Sequence, residues 1–161
     1  MLFVLPRRFP HKEYEKVGFD ERVRLIEKIV ENEPRFSVGV SEGGLFIEIA
    51  GEARALYGPE TQLVFICGRD AAQRIVSWDY GEPDAFEKML GQFEMLVAPR
   101  RGPYEAPERF RSRIRPLWVS PDYDEVSATE VRRRIQARQP WEPLVPPEIV
   151  EDVRRLYEPA N

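Results

Sequence analysis

Leu63-Val64-Phe65-Ile66-Cys67-Gly68-Arg69-Asp70 is the stretch of sequence that decides the fold. Its first five residues form an uninterrupted apolar run, which is typical of a strand buried on both faces of a parallel sheet. Gly68 ends the run, and residues 71–76 have the composition of a short helix. Asp70 is placed to cap that helix. The stretch therefore predicts a strand, a turn and a helix, which is the repeating unit of an α/β fold.

The rest of the chain alternates in the same way. Strands are predicted at 2–5, 36–40, 63–67, 93–98 and 117–120, and helices at 20–33, 45–57, 71–76, 84–90, 127–138 and 147–157. This alternation indicates a single α/β domain with a mainly parallel sheet over residues 1–161. In such a sheet, ligands bind beyond the carboxyl ends of the strands.

Composition narrows the possible partners. The 161 residues carry a net charge of −4, which argues against nucleic acid or a membrane as the partner. The arginines are nevertheless grouped, which fits a small anionic ligand; the groups are 7–8, 100–101, 109–115 and 132–134. No apolar run is long enough to span a membrane or serve as a signal peptide. Cys67 is the one cysteine, so we expect a core residue in a protein of the reducing cytoplasm.

A second informative stretch, Val126-Ser127-Ala128-Thr129-Glu130-Val131-Arg132, begins a helix. Ser127 is a good N-cap residue, and Glu130 is spaced to complete a capping box. The backbone N–H groups at such a helix start attract anions. Thr129 adds a hydroxyl and Arg132 adds a guanidinium, so the stretch fits a polyphosphate site. On the local pattern alone, a well-capped helix with a solvated arginine is the favoured interpretation, because capping boxes are common and phosphate sites are not.

The order and spacing of several motifs resemble the nucleotidyltransferase superfamily, and most closely the bacterial nicotinate-nucleotide adenylyltransferases. The resemblance covers nearly the whole chain and implies a Rossmann-like fold. The motifs that carry it are Phe3-Val4-Leu5-Pro6, Pro10-His11-Lys12, Phe65-Ile66-Cys67-Gly68-Arg69-Asp70, Ser77-Trp78, Val97-Ala98-Pro99-Arg100-Arg101-Gly102, the stretch 126–132 and Leu144-Val145-Pro146.

The resemblance implies a reaction. An adenylyl group passes from ATP to nicotinate mononucleotide, or to a related phosphate acceptor, in NAD biosynthesis. Mg²⁺ would bridge the triphosphate oxygens, and small nucleotides would be the partners. Ser127, Thr129 and Arg132 would bind the ATP phosphates, and Gly68 and Asp70 would border the ribose.

The resemblance also implies which residues bind the phosphate acceptor. His11 and Lys12 would meet the acceptor phosphate, although a solvated basic loop explains them as well. Trp78 would stack on the pyridine ring, although packing is the commoner role of a tryptophan. Arg100 would add a further cation. Lys12 and Arg132 are the predicted catalytic residues.

Two departures from the family pattern stand out. The family's His-x-Gly-His motif is absent, because the one histidine, His11, belongs to another motif. We therefore expect a domain truncated at its N-terminus, inactive as given, with an exposed sheet edge that favours homo-oligomers. Gly44-Leu45-Phe46-Ile47-Glu48 replaces the family's Gly-x-Ser-Tyr-Thr, which leaves the acceptor open. The alternatives are a non-catalytic nucleotide-binding module and a sibling cytidylyl- or adenylyltransferase with another acceptor.

Overall fold

The computed structural model describes residues 1–8, 17–99, 102–124 and 126–158. Strands and helices alternate along these residues, which confirms the predicted α/β class. The strands are β1 (Leu2–Pro6), β2 (Ser37–Ser41), β3 (Val64–Gly68), β4 (Glu94–Ala98) and β5 (Ile114–Pro116). The α-helices are α1 (Phe19–Val30), α2 (Phe46–Tyr57), α3 (Arg69–Ser77), α4 (Ala85–Leu90), α5 (Ala128–Gln136) and α6 (Val150–Tyr157).

The chain divides into two compact units. The first unit comprises Met1–Leu45 and Val126–Asn161, and the second comprises Phe46–Glu125. β1 pairs in parallel with β2 in the first unit, and β3, β4 and β5 form a parallel sheet in that order in the second. The strands of the described residues are therefore parallel, as predicted, but they form two sheets instead of one.

The second unit is built on one face of its sheet. Phe65, Met95 and Ile114 stand in register across β3, β4 and β5, so their side chains share a face. Met95 is fully buried there, and the Phe65 ring stacks on Phe46 with centroids 4.3 Å apart. Burial of these apolar groups is the main stabilising contribution to this unit.

β3 is buried on one face only, so the prediction that both faces are buried is wrong. Phe65 and Cys67 pack against the core, whereas Val64 and Ile66 on the opposite face are each 49% exposed. Successive strand side chains point to opposite faces, and only one face meets the core of this unit. An apolar run thus predicts a strand, but it does not predict whether both faces of that strand are covered by other residues.

The first unit packs helices around a tryptophan. Trp141 is 3% exposed, and its indole Nε1 donates to Glu158 at 3.2 Å. Apolar residues from α5 and α6 surround it, and Leu25 and Ile29 of α1 pack against the same group; the buried members are Val131, Ile135, Trp141, Ile149 and Val153. These contacts fix the orientation of α5, the helix that carries the predicted phosphate motif.

Several predicted boundaries are corrected by the structure. β5 lies at Ile114–Pro116 instead of 117–120, because Ile114 is buried against the sheet while Trp118 is 84% exposed. The sequence also allows Asp20 to cap the first helix, but neither Asp20 nor Asp70 is a cap, since Gly18 and Gly68 take the cap positions. Both carboxylates lie in the first helical turn, where the helix dipole stabilises a negative charge.

Candidate functional site

Ser127 caps α5 as predicted. The residue has an extended backbone, and its Oγ accepts a hydrogen bond from the backbone N–H of Glu130 at 3.1 Å. Val131 and Ile135 bury the inner face of the helix in the first unit's core. The first turn therefore presents its remaining backbone N–H groups, and the positive end of the helix dipole, at a rigidly held helix end.

Thr129 and Arg132 come together at the same helix end. The Arg132 Nη2 donates to the Thr129 Oγ1 at 3.4 Å. Side chains on a helix lean toward its N-terminus, so the guanidinium lies over the first turn. Hydroxyl, guanidinium and backbone N–H donors at one helix start are the groups that bind phosphate oxygens.

Glu130 completes only half of the predicted capping box. Its carboxylate accepts hydrogen bonds from the Arg133 Nε at 2.8 Å, the Arg133 Nη2 at 2.7 Å and the Arg134 Nε at 2.8 Å. These bonds, with Arg133 first and Arg134 second, lower the pKa of Glu130 to about 2. The two arginines compete successfully for the carboxylate because a charged donor binds it more strongly than a neutral backbone N–H.

The three consecutive arginines of α5 therefore differ in their partners. Arg133 and Arg134 are ion-paired with Glu130. Arg132 forms no ion pair with any carboxylate in the part of the chain that the structure describes. Its positive charge is thus the one in this triplet that a ligand anion can pair with.

The carboxyl end of β3 forms a second candidate group, in the second unit. Gly68 caps α3, and Asp70 lies in the first turn of that helix. Arg69 lies between these two residues in the sequence, and its Nε is 3.7 Å from the Asp70 Oδ1. Gly102 has a φ of +117°, and a Cβ at that position would lie 3.1 Å from the Arg69 Nη1. The segment after β4 therefore approaches the guanidinium closely, and glycine is required there.

Sequence reasoning placed Arg69 among the candidate groups, between Gly68 and Asp70 at the carboxyl end of a strand, but gave it no role. Its close approach to Gly102 depends on the pairing of β3 with β4, which the sequence does not specify.

Trp78 follows α3 and remains 43% exposed, so it is not a core residue. It lines a cavity of about 160 Å³ in the second unit. Tyr80 helps to form the wall, because its hydroxyl donates to the Ile75 carbonyl at 3.0 Å and its ring stacks on Phe86. Burial raises the pKa of the Tyr80 hydroxyl, which therefore stays protonated.

The structure describes only some of the remaining predicted residues. His11, Lys12 and Arg100 lie outside the described residues, so their acceptor-side roles stay predictions. Gly68 and Asp70 belong to the second unit, whereas the 127–132 group belongs to the first. Cys67 packs against the core of the second unit, and burial raises the pKa of its thiol to about 11.

The described ranges contain no group of three or more His, Cys, Asp or Glu side chains that could hold a metal ion. Across those same ranges, no helix is both long enough and apolar enough to cross a membrane.

Comparison with known proteins identifies several relatives that carry the same name. No family model matches the chain. A protein of Moorella thermoacetica is 28% identical over 99% of this chain and 78% of its own length. One of Thermus thermophilus is 33% identical over 84% of this chain and 70% of its own length, and one of Cronobacter sakazakii is 24% identical over 98% and 82%. Each carries the name "Probable nicotinate-nucleotide adenylyltransferase".

These relatives match most of the chain. The resemblance read from the motifs is therefore confirmed. The chain belongs to the nicotinate-nucleotide adenylyltransferase family of nucleotidyltransferases.

Proposed function

We propose that the protein takes part in ATP-dependent adenylyl transfer to nicotinate mononucleotide, or to a related phosphate-bearing acceptor, in cytoplasmic NAD biosynthesis. The names of its relatives support the reaction class. The start of α5 supports the phosphate-binding role, because its donors suit a triphosphate.

One observation carries the proposal: Arg132 lies over the first turn of α5 beside Thr129, and no described carboxylate neutralises it. In adenylyl transfer the acceptor phosphate attacks the α-phosphorus and pyrophosphate leaves. Negative charge then accumulates on the leaving group, and a fixed guanidinium stabilises that charge. Ser127 and Thr129 would orient the β- and γ-phosphates, so that attack is in line.

The remaining roles follow the family resemblance. Gly68 and Asp70 would border the ATP ribose. Lys12, with His11 and Arg100, would bind the acceptor phosphate, and Lys12 would stabilise charge at the reacting phosphorus. Mg²⁺, when bound, supplies further charge neutralisation at the triphosphate.

A second candidate function is nucleotide binding without catalysis. The chain has one histidine, so a His-x-Gly-His motif does not occur within its 161 residues. Release of pyrophosphate from ATP with nicotinate mononucleotide tests for the enzyme. Turnover by the 161-residue chain favours the enzyme and would contradict the expectation that the chain is inactive as given. Tighter binding of CTP than of ATP would instead favour a cytidylyltransferase.

The ATP-binding role is tested by titration calorimetry with Mg-ATP. We expect Arg132→Ala to weaken binding by about tenfold or more, because a charge-assisted hydrogen bond contributes roughly 1.5–3 kcal/mol. Arg113→Ala is the matched control. The Arg113 Nη1 lies 3.6 Å from the Glu94 Oε1, so its charge is paired with a carboxylate, and the Arg115 Nη2 lies 2.7 Å from the Oε2 of the same carboxylate. The control substitution should leave the dissociation constant within about twofold of wild type.

Equal effects of the two substitutions would remove the case for a phosphate site at α5. Arg132→Lys guards against a trivial folding defect, because it keeps the charge while losing the forked donors. It should bind ATP with an affinity between those of wild type and Arg132→Ala.

A further inference from the structure

A cavity of about 370 Å³ lies beside β5 in the second unit. Its volume falls within the range of sites that bind small molecules, about 300–1,000 Å³. β5 and the segment before it supply the lining residues, which are Tyr104, Glu105, Ala106, Arg111, Ile114 and Pro116. These residues are distinct from the predicted nucleotide and acceptor groups, so the proposed adenylyl transfer gives this cavity no role.

One part of the lining is apolar and held by the core. Ile114 is 2% exposed, and it stands in register with the fully buried Met95 of β4. Tyr104 and Ala106 pack against the same core. A preformed apolar wall is better covered by an apolar group of a ligand than by water. The cavity therefore offers a fixed surface for a hydrocarbon side chain.

The other part of the lining carries one positive and one negative charge. The Arg111 Nε donates to the Ala106 carbonyl at 3.4 Å, which leaves the two Nη groups for another acceptor. Within the ranges that the structure describes, Arg111 forms no ion pair with a carboxylate, and Glu105 forms none with a cation. Opposite charges that line one cavity without neutralising each other complement a ligand that carries both charges.

The Tyr104 hydroxyl adds a neutral donor to the cavity. Burial first, and the nearby Cys67 second, raise the pKa of this hydroxyl above its ordinary value of 10.0. The hydroxyl therefore stays protonated at neutral pH and can donate a hydrogen bond to a carboxylate.

We propose that this cavity binds a free α-amino acid with an apolar side chain. The Arg111 Nη groups bind the ligand carboxylate as a fork, with the Tyr104 hydroxyl as a further donor. Glu105 accepts hydrogen bonds from the ligand ammonium, and the apolar wall takes the side chain. A simple carboxylic acid would be repelled by Glu105, and a simple amine would be repelled by Arg111.

The inference is tested by titrating the ¹⁵N-labelled 161-residue chain with leucine and following the backbone amide shifts. We expect saturable shifts at residues 104–106 and 114. Isocaproate lacks only the ammonium of leucine, and isoamylamine lacks only the carboxylate. Each should bind about tenfold or more weakly than leucine, because each loses one set of charge-assisted hydrogen bonds. Glycine, which lacks the side chain, should also bind more weakly.

Two substitutions separate the charges. Arg111→Gln should weaken leucine binding by about tenfold while leaving isoamylamine binding no weaker than in wild type. Glu105→Gln should weaken leucine binding and strengthen isocaproate binding, because it removes the repulsion between two carboxylates. Both side chains are exposed, so the fold is retained. Glu108→Gln, which changes an exposed carboxylate outside the lining, should leave the dissociation constants within about twofold of wild type.

Three results would overturn the inference. One is the absence of saturable shifts at residues 104–106 and 114 with leucine up to about 10 mM. Another is wild-type binding of isocaproate as tight as that of leucine, which would indicate a site for simple organic anions. The third is leucine binding that Arg111→Gln and Glu105→Gln both leave unchanged. Binding of Mg-ATP is measured separately, so each result leaves the proposed function as it stands.

Discussion

Glu130 decides which arginine of α5 remains for a ligand. Its carboxylate engages Arg133 and Arg134, which leaves Arg132 beside Thr129. The motif spacing predicted the capping serine and the nearby guanidinium, because N-cap chemistry is local. The choice between a capping box and a carboxylate–arginine network was not predictable, since it depends on the rotamers of three long side chains.

This network has a testable dependence on pH. The folded pKa of Glu130, about 2, lies below its ordinary value of 4.5, so the network stabilises the fold above pH 4.5 and loses that contribution as the pH falls toward 2. Glu130→Gln should lower the midpoint of urea unfolding at pH 7 and flatten its decline between pH 4.5 and pH 2.5. Parallel curves for the variant and wild type would contradict the assignment.

At the scale of the element, local signals located the strands and helices well, but they did not predict which elements pair or pack with one another. The helix start at Ser127 and the strand at 64–68 follow from capping and apolar patterning. The position of β5 did not, because the pairing of Ile114 with Met95 is a long-range contact that no local pattern encodes. The exposure of Val64 and Ile66 likewise depends on what covers the sheet.

The central strand of the second unit gives the element-scale prediction. Met95 is fully buried in the core of this unit, so Met95→Ala should lower the free energy of unfolding by about 2–5 kcal/mol. Leu56→Ala on α2 is the control, since Leu56 is 73% exposed and its truncation should change stability by less than about 0.5 kcal/mol. Chemical denaturation followed by circular dichroism measures both. Similar losses would show that β4 does not organise the core.

At the scale of the whole molecule, the order of the strands was not predicted. Sequence patterning indicated one domain with one sheet, but patterning reports the faces of strands and not their order. The described residues form one two-stranded and one three-stranded parallel sheet. β3 lies at an edge of its sheet in the described part of the chain, and Val64 and Ile66 on it are half exposed.

We propose that this apolar edge promotes pairing between copies of the chain, because an exposed apolar edge strand is a template for another strand. Sedimentation velocity should show association that increases with concentration. Ile66→Lys should weaken it, whereas Leu56→Lys on α2 should not. A chain that stays monomeric up to about 100 μM, a concentration at which a micromolar association would be visible, would count against self-association.

The central claim, that the start of α5 binds the triphosphate of ATP, is tested most directly by NMR. Mg-ATP is titrated into ¹⁵N-labelled protein, and the backbone amide shifts are followed. The account predicts the largest shifts at the N–H groups of 128–132, with a change at the Arg132 side chain, and their loss in Arg132→Ala. Saturating shifts that leave the start of α5 unaffected, or no shifts at millimolar Mg-ATP, would contradict it.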